Sequence, residues 1–197
     1  MEIRKYHCKI RGIGFSMLEI NVKVGNDIGN SEHKIIINGD YTAQPNVYAK
    51  VDKLPELISE IDPQDLIEDI QSNLIVTINS ASLQKGIYYS GFYALKSRYN
   101  VFSIEVGADN SKAESDVVLI NTLAQIAAYG VKAMNHSNVS YNKKLRVNVD
   151  MAVSLPVNQY NKENVEKLKS RFDGVHELIV HAGNQNIKTE IRFEFID

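Results

Sequence analysis

The sequence predicts an α/β domain, and three observations lead to that prediction. Segments with the two-residue period of strands alternate with segments of helical period, which favours a mixed sheet flanked by helices. Gly, Asn and Pro separate these segments, and the sequence contains no internal repeat and no low-complexity tract. The chain has 197 residues, of which 44% are hydrophobic and 23% charged, and a chain of this size can bury one sizeable core.

The first predicted elements form a hairpin. Ile20, Val22 and Val24 alternate with polar residues, as in a half-buried strand, and residues 35–37 predict a more buried strand. A polar turn containing Gly29 lies between the two strands. Residues 41–47 predict a further strand, which Pro45 places at an edge of the sheet because proline cannot donate a ladder hydrogen bond.

The middle of the chain predicts two short helices and then a pair of strands. Leu and Ile recur at helical spacing within residues 53–71, where Asp62 and Pro63 fit an N-cap and a first helical position. Residues 73–79 and 86–92 predict two strands joined by a polar turn. Their aromatic side chains suit the face of a sheet.

The strongest helix prediction spans residues 115–134. Ser115 suits the N-cap, Asp116 lies in the first turn where the helix dipole favours an anion, and Gly130 permits close packing. The helix has a predicted apolar stripe, which consists of Val118, Leu119, Leu123, Ile126, Ala127 and Val131.

The C-terminal part predicts a strand, a helix and two more strands. Residues 146–155 alternate between apolar and polar, and Pro156 ends that strand. Asn161 or Asn164 starts the helix, and Gly174 lies just past its end. Residues 176–181 and 187–196 predict the last two strands, with a turn at residues 183–186.

The turn of the first hairpin has the composition of a phosphate-binding loop. Asp27 at the strand end can hold a hydrated Mg²⁺, and Gly29 allows positive φ and close approach of a ligand. The N–H groups from Gly29 through Asn30 to Ser31 can point at anionic oxygens, and Lys34 adds a positive charge. The same composition suits the turn of any β-meander, so both interpretations stay open at this level.

The spacing Asp-x-Gly, with Lys seven residues after the Asp, resembles the first phosphate loop of the actin, Hsp70 and sugar-kinase superfamily. Residues 108–195 resemble the first domain of plasmid-segregation actins of the ParM (StbA) type. The segments that carry this resemblance are ESDVVLINTLAQIAAYGVKAM, LRVNVDMAVSLPVNQY and NKENVEKLKSRF. The turn at Leu155 and Pro156, followed by Tyr160 and Phe172, is its most distinctive part. With the Asp27 loop, the resemblance covers nearly all of the chain after Met17.

The resemblance implies an actin-like ATPase domain with a ribonuclease H-like fold. This fold is a mixed sheet of about five strands flanked by helices, with a small subdomain inserted at roughly residues 40–106. Residues 17–197 would form actin-like domain I, and residues 1–16 would be an N-terminal extension.

The implied cofactors are ATP and Mg²⁺. Asp27 would organise the Mg²⁺ through water, Gly29, Asn30 and Ser31 would donate N–H groups to the phosphates, and Lys34 would neutralise charge. In the resembled family the long helix lies under the nucleotide cleft. Its first residues, together with Lys112, therefore either approach the nucleotide or only cap the helix.

The function implied for the full-length protein is polymerisation with ATP into filaments that segregate plasmid DNA. A DNA-binding adaptor protein is the expected partner, since the net charge of −2 gives no reason for direct nucleic-acid binding. No apolar run approaches the roughly 20 residues of a membrane span, so no membrane partner is expected. Residues 1–16 lack a signal-peptide pattern, and a single cysteine, Cys8, suits a cytoplasmic location.

No catalytic residue is assigned, because the catalytic Glu and the second Asp-x-Gly loop of the resembled family have no counterpart in this sequence. ATP hydrolysis is therefore expected only of a full-length two-domain protein, and this chain alone is expected to be inactive. An alternative is a stand-alone, non-catalytic interaction or filament-regulating module of the same fold. A third possibility is a kinase or a chaperone-like ATPase of the same superfamily.

Other candidate sites lack the spacing that their chemistry requires. The histidines at 33, 136, 176 and 181 do not have metal-ligand spacing, and His176 and His181 are expected on opposite faces of one strand. Ser154 lacks the flanking glycines of a nucleophile elbow. The acidic residues between 56 and 69 predict a solvated helix face.

Overall fold

The computed structural model describes residues 17–104 and 111–193, which form a ten-stranded mixed sheet with helices. The strands are β1 (Met17–Ile28), β2 (Glu32–Ile37), β3 (Asp40–Pro45), β4 (Val47–Val51), β5 (Ile75–Ser80), β6 (Leu83–Ser90), β7 (Val101–Ser103), β8 (Lys144–Val153), β9 (Gly174–Ala182) and β10 (Gln185–Phe193). The helices are α1 (Pro63–Glu68), α2 (Gly91–Lys96), α3 (Asp116–His136) and α4 (Lys162–Phe172). Short 3₁₀ turns lie at Glu56–Glu60, Ile70–Ser72, Lys112–Glu114 and Val157–Gln159. The predicted extension at residues 1–16 lies outside the described residues.

The strand order is β3-β2-β1-β8-β10-β9-β5-β6-β4-β7. β8 runs parallel to both β1 and β10, whereas β10 and β9, β9 and β5, and the hairpin strands pair antiparallel. The predicted mixed α/β class is confirmed, but the prediction of about five strands is wrong. Strand β9 pairs with β5, with Val76 opposite Val180, so strands from the region predicted as a small subdomain belong to the same sheet. Apolar periodicity shows which residues share a face but not which strands are neighbours.

The sheet curls around helix α3. Asn46 alone separates β3 from β4, although these two strands lie near opposite ends of the strand order. Strands from both halves of the sheet, including β1, β8 and β10 as well as β4, β5 and β6, contact α3. The helix is therefore enclosed, and every residue from 117 to 128 is buried, which is more than the predicted stripe.

Gly130 has the packing role that the sequence predicts. A Cβ at this position would lie 2.6 Å from Leu145 Cδ2 and 3.1 Å from Val147 Cγ2, so a larger residue would require these side chains to move.

Helix α3 is long and apolar enough to cross a membrane by length and composition, so the expectation that no apolar run approaches that length is wrong. It has 21 residues, and its most apolar window has a mean hydropathy of 1.4. However, 83% of that window is buried inside the fold, as expected for a core helix.

Several predicted element boundaries are confirmed and others are shifted. Asp62 caps α1 by accepting the Gln64 N–H at 2.8 Å, and Asn161, rather than Asn164, caps α4. β3 is an edge strand, as Pro45 predicts, but it ends at that proline, and Val47 belongs to β4.

One prediction about the burial of a strand and one about the end of a strand are wrong. Ile36 is 47% exposed, so the isoleucine run of β2 alternates and is not buried throughout. The strand predicted at residues 86–92 ends at Ser90, because Gly91 has a φ of +57° that turns the chain into α2. The predicted turn at residues 183–186 is shorter than expected, since Ala182 and Gln185 already pair.

Candidate functional site

The predicted site residues Asp27 and Lys34 lie opposite each other across the first hairpin. They are register partners in the antiparallel pair of β1 and β2, and residues 29–31 form the loop that joins the strands. Directly opposed residues have Cβ atoms about 5 Å apart, and both side chains lie on the exposed side of the hairpin. The structure therefore brings the Asp, the Lys and the loop together, as the spacing predicts.

Gly29 is required by close packing of the backbone and not by its φ angle. It is not among the glycines with positive φ, so the loop does not use the conformational freedom that glycine allows there. Instead, a Cβ on Gly29 would lie 2.5 Å from the carbonyl oxygen of Glu32. A side chain at this position would force the three-residue loop open.

Ser154 orients the carboxylate of Asp27. Its hydroxyl donates to Asp27 Oδ1 at 2.9 Å, and its backbone N–H donates to the Asn26 carbonyl at 3.0 Å. Asp27 Oδ2 makes no hydrogen bond to any residue that the structure describes. One exposed carboxylate with a free oxygen fits a hydrated Mg²⁺, which keeps several waters and needs few protein ligands.

Two lysines contribute positive charge beside the loop. Lys34 forms an ion pair with Glu32 at 3.3 Å, and this partner raises the pKa of the exposed lysine. Lys112 is largely buried, and its Nζ donates to the Ile28 carbonyl at 2.5 Å. Burial lowers the pKa of Lys112, and the charge of Asp27 acts in the opposite direction. Lys112 is thus the cation that contacts the loop backbone.

The loop carbonyls point inward. Lys112 holds the Ile28 carbonyl, and the buried Asn46 side chain donates to the Gly29 carbonyl at 2.7 Å. The described peptide bonds are trans, so each N–H points opposite to the carbonyl of the same peptide unit. The N–H groups of Gly29 and Asn30 therefore point away from these inward partners. Successive N–H groups directed outward are free to donate hydrogen bonds to an anion.

A buried polar chain supports the hairpin from below. The Asn26 side chain donates to Thr122 Oγ1 at 2.9 Å, so its Oδ1 accepts from His33 Nε2 at 2.6 Å. In this arrangement His33 Nε2 carries a proton. Burial lowers its pKa to about 4, although the charge of Asp27 raises it in part.

We expect the chain to lose stability as the pH falls from 7 to 5, because the His33 pKa is about 4 in the fold and near 6.5 when unfolded. A group with a lowered folded pKa contributes stability above its unfolded value and loses it as the pH falls towards the folded value. The expected loss from His33 alone is about 2 kcal/mol. Burial lowers the pKa of His176 and His181 too, and both add to this loss.

Urea unfolding at the two pH values measures this effect. His33→Gln is expected to reduce the pH dependence, and His136→Gln, at an exposed position near the end of α3, serves as the matched control. An unchanged pH dependence in His33→Gln would contradict the assignment.

The two other residues at the start of α3, Ser115 and Asp116, differ in their contacts. Asp116 pairs with Arg171 at 2.5 Å, which ties α3 to α4. The Ser115 side chain makes no capping hydrogen bond. Of the three residues that either approach the nucleotide or cap the helix, Lys112 alone contacts the loop.

Ser154 and Asn46 are the residues that sequence reasoning missed. Asn26 of β1 pairs in parallel with Val153 of β8, so Ser154 follows at the same sheet edge as Asp27. The signal that indicates Ser154 is therefore its position just after a strand parallel to β1. Asn46 has no comparable signal, because its role depends on the curl of the sheet.

Comparison with known proteins agrees with this architecture. The actin-like protein Alp7A superimposes with a TM-score of 0.64 at 20% identity, covering 89% of this chain and 43% of that chain. ParM of Bacillus thuringiensis with ADP gives a TM-score of 0.59 at 22% identity, covering 88% of this chain and 43% of that one. ParM in a 15-stranded filament from Clostridium botulinum gives 0.52 at 18% identity, covering 88% and 47%. These similarities establish the fold, and the chain spans less than half the length of each structure.

Family assignment rests on the sequence as well. A search of curated proteins gave no match. Residues 25–196 match the family of actin-like proteins at its N-terminal domain, and this match includes the hairpin loop, α3 and the strands that follow. The chain therefore belongs to the actin-like proteins and contains their N-terminal domain.

Proposed function

We propose that this chain is the nucleotide-binding N-terminal domain of a two-domain actin-like protein, which assembles into filaments with ATP and segregates plasmid DNA. The observation that carries the proposal is the loop at residues 29–31, where inward carbonyls leave N–H groups facing outward beside Asp27. The ParM structures with ADP and with AMPPNP show that fold relatives bind adenine nucleotides.

Each residue of the loop has a proposed role. The N–H groups of Gly29, Asn30 and Ser31 bind phosphate oxygens, and Lys34 supplies positive charge on the exposed side. Lys112 holds the loop backbone and adds charge from below. Ser154 keeps the Asp27 carboxylate in position.

Asp27 is the proposed ligand of Mg²⁺ through water. When bound, Mg²⁺ neutralises charge on the β- and γ-phosphates. Asp27 and Ser154 fit this role, because one carboxylate oxygen is held and the other makes no bond within the described part of the chain.

The rest of the proposed site belongs to a second domain. Phosphoryl transfer depends on positioning and on charge stabilisation around the phosphates, so one side of a nucleotide cleft is a poor catalyst. The proposal therefore places hydrolysis in the full-length protein. It also includes a cytoplasmic location and a DNA-binding adaptor, since the net charge of −2 does not favour direct DNA binding.

We expect the full-length protein to sediment as filaments after addition of ATP and Mg²⁺, whereas this 197-residue chain stays in the supernatant. Calorimetry should show weak or absent ATP binding to the chain alone, because the proposal assigns the second side of the cleft to another domain. Micromolar ATP binding by the chain alone would show that the half-site suffices. Absence of nucleotide-dependent filaments from the full-length protein would favour the filament-regulating module.

A further inference from the structure

A buried network of polar side chains extends from the loop to the end of β6. Asn46 donates to the Gly29 carbonyl at 2.7 Å, and Asn121 donates to Asn46 Oδ1 at 2.9 Å. Ser90 donates to Asn121 Oδ1 at 2.7 Å, and Gln44 donates to Ser90 Oγ at 3.3 Å. All four side chains are at most 1% exposed, so water does not compete for these bonds.

The donor and acceptor roles in this network are fixed by its end at the loop. The Gly29 carbonyl can only accept, so Asn46 must present its NH₂ there and its Oδ1 to Asn121. Asn121 must then donate with its NH₂, which leaves its Oδ1 to accept from Ser90. Every bond is therefore donated towards the loop, and bonds aligned in this way polarise one another.

The end of the hydrogen-bond network that lies away from the loop is at the junction of β6 and α2. Ser90 is the last residue of β6, and Gly91 begins α2. A Cβ on Gly91 would lie 2.3 Å from Gln44 Oε1, so the Gln44 side chain packs directly on the helix start. Asn46 also donates its backbone N–H to the Ser31 carbonyl at 2.9 Å, which gives the loop a second attachment to the same residue.

We propose that Asn46, Asn121 and Ser90 are positioning residues that couple the conformation of the loop at residues 29–31 to the junction of β6 and α2. This inference rests on the proposed function, because the loop is taken to be the phosphate-binding element. Through this hydrogen-bond network, a change in loop geometry on nucleotide binding reaches helix α2, whose Phe92 and Leu95 are 40% and 54% exposed.

The test uses Ser90→Ala, which interrupts the hydrogen-bond network at a residue that does not contact the loop. Thr189→Val is the matched control, since Thr189 is 1% exposed and its hydroxyl has no hydrogen-bond partner among the described residues. NMR spectra of the nucleotide-free 197-residue chain report the Asn30 amide, whose peptide unit contains the Gly29 carbonyl. We expect the Asn30 resonance to move in Ser90→Ala and to stay in place in Thr189→Val.

The second measurement is ATP affinity of the full-length protein. Ser90→Ala is expected to weaken it by about three- to tenfold, because it removes the buried hydrogen bond to Asn121 and the one from Gln44. Thr189→Val should leave it unchanged. Gln44→Met removes the hydrogen bond that Gln44 donates to Ser90, and it should also weaken ATP affinity, but to a smaller extent. It also replaces Ser90→Ala if that variant does not fold.

The outcomes separate this inference from the proposed function. An unmoved Asn30 resonance in a folded Ser90→Ala chain would overturn the coupling. A moved resonance with unchanged ATP affinity would overturn its role in nucleotide binding. If the wild-type full-length protein binds no nucleotide, the proposed function fails, and the resonance alone then decides whether the loop and the junction are coupled.

Discussion

Asp27→Ala in the full-length protein is expected to weaken ATP–Mg²⁺ binding about tenfold or more and to suppress filament assembly. The substitution removes the proposed Mg²⁺ ligand and also leaves the Ser154 hydroxyl without its acceptor. Calorimetry measures the affinity, and light scattering with pelleting measures assembly at limiting ATP.

Asp69→Ala is the matched control for this experiment. Asp69 is an exposed carboxylate just past the end of α1, where a lost surface charge changes stability by roughly 0.5 kcal/mol or less. Both variants should give the circular dichroism spectrum of the wild type. Equal assembly by wild type and Asp27→Ala would remove the phosphate-loop assignment and favour the filament-regulating module.

Glu190→Ala is expected to lower the free energy of unfolding by about 3 kcal/mol. Glu190 is 5% exposed on β10, and it accepts from Lys144 at 2.6 Å, from Arg146 at 2.7 Å and from Arg192 at 2.6 Å. Burial alone would raise the pKa of this carboxyl, yet the three cations lower it to about 2. Removing the carboxylate leaves these cations close together without their shared partner.

Urea unfolding at pH 7 measures this loss, and Glu166→Ala is its control. Glu166 pairs with Lys162 at 3.8 Å on the surface of α4, where such a pair contributes roughly 0.5 kcal/mol. The contribution of Glu190 should also fade as the pH falls below its unfolded pKa near 4.5 towards 2. A loss no larger than that of Glu166→Ala would contradict the assigned role of this carboxylate.

Local periodicity predicted most strands and helices, because burial of one face leaves a trace in neighbouring residues. It did not predict ten strands in one sheet, since the pairing of β5 with β9 joins residues about a hundred positions apart. It also underestimated the burial of α3. A stripe describes a helix packed against one layer, whereas α3 is enclosed by a sheet that curls around it.

The local part of the candidate site was predictable and the distant part was not. Asp27 and Lys34 face each other across a three-residue loop, and the sequence places both beside the predicted polar turn. Ser154 and Asn46 reach the same loop through a parallel strand pair and a strand crossover. Contacts of this kind depend on the tertiary path of the backbone, for which one sequence carries no periodic signal.

The single residue between β3 and β4 sets a mechanical limit on this fold. Two consecutive Cα–Cα steps span at most about 7 Å, so the end of β3 and the start of β4 cannot separate further while both strands stay paired. Asn46 therefore limits how far β3, at one end of the strand order, can move from β4, near the other end. Any wider separation of β3 from β4 must first break ladder hydrogen bonds of one of these strands. A pulling force applied across Asn46 would therefore detach residues from a strand rather than extend a linker.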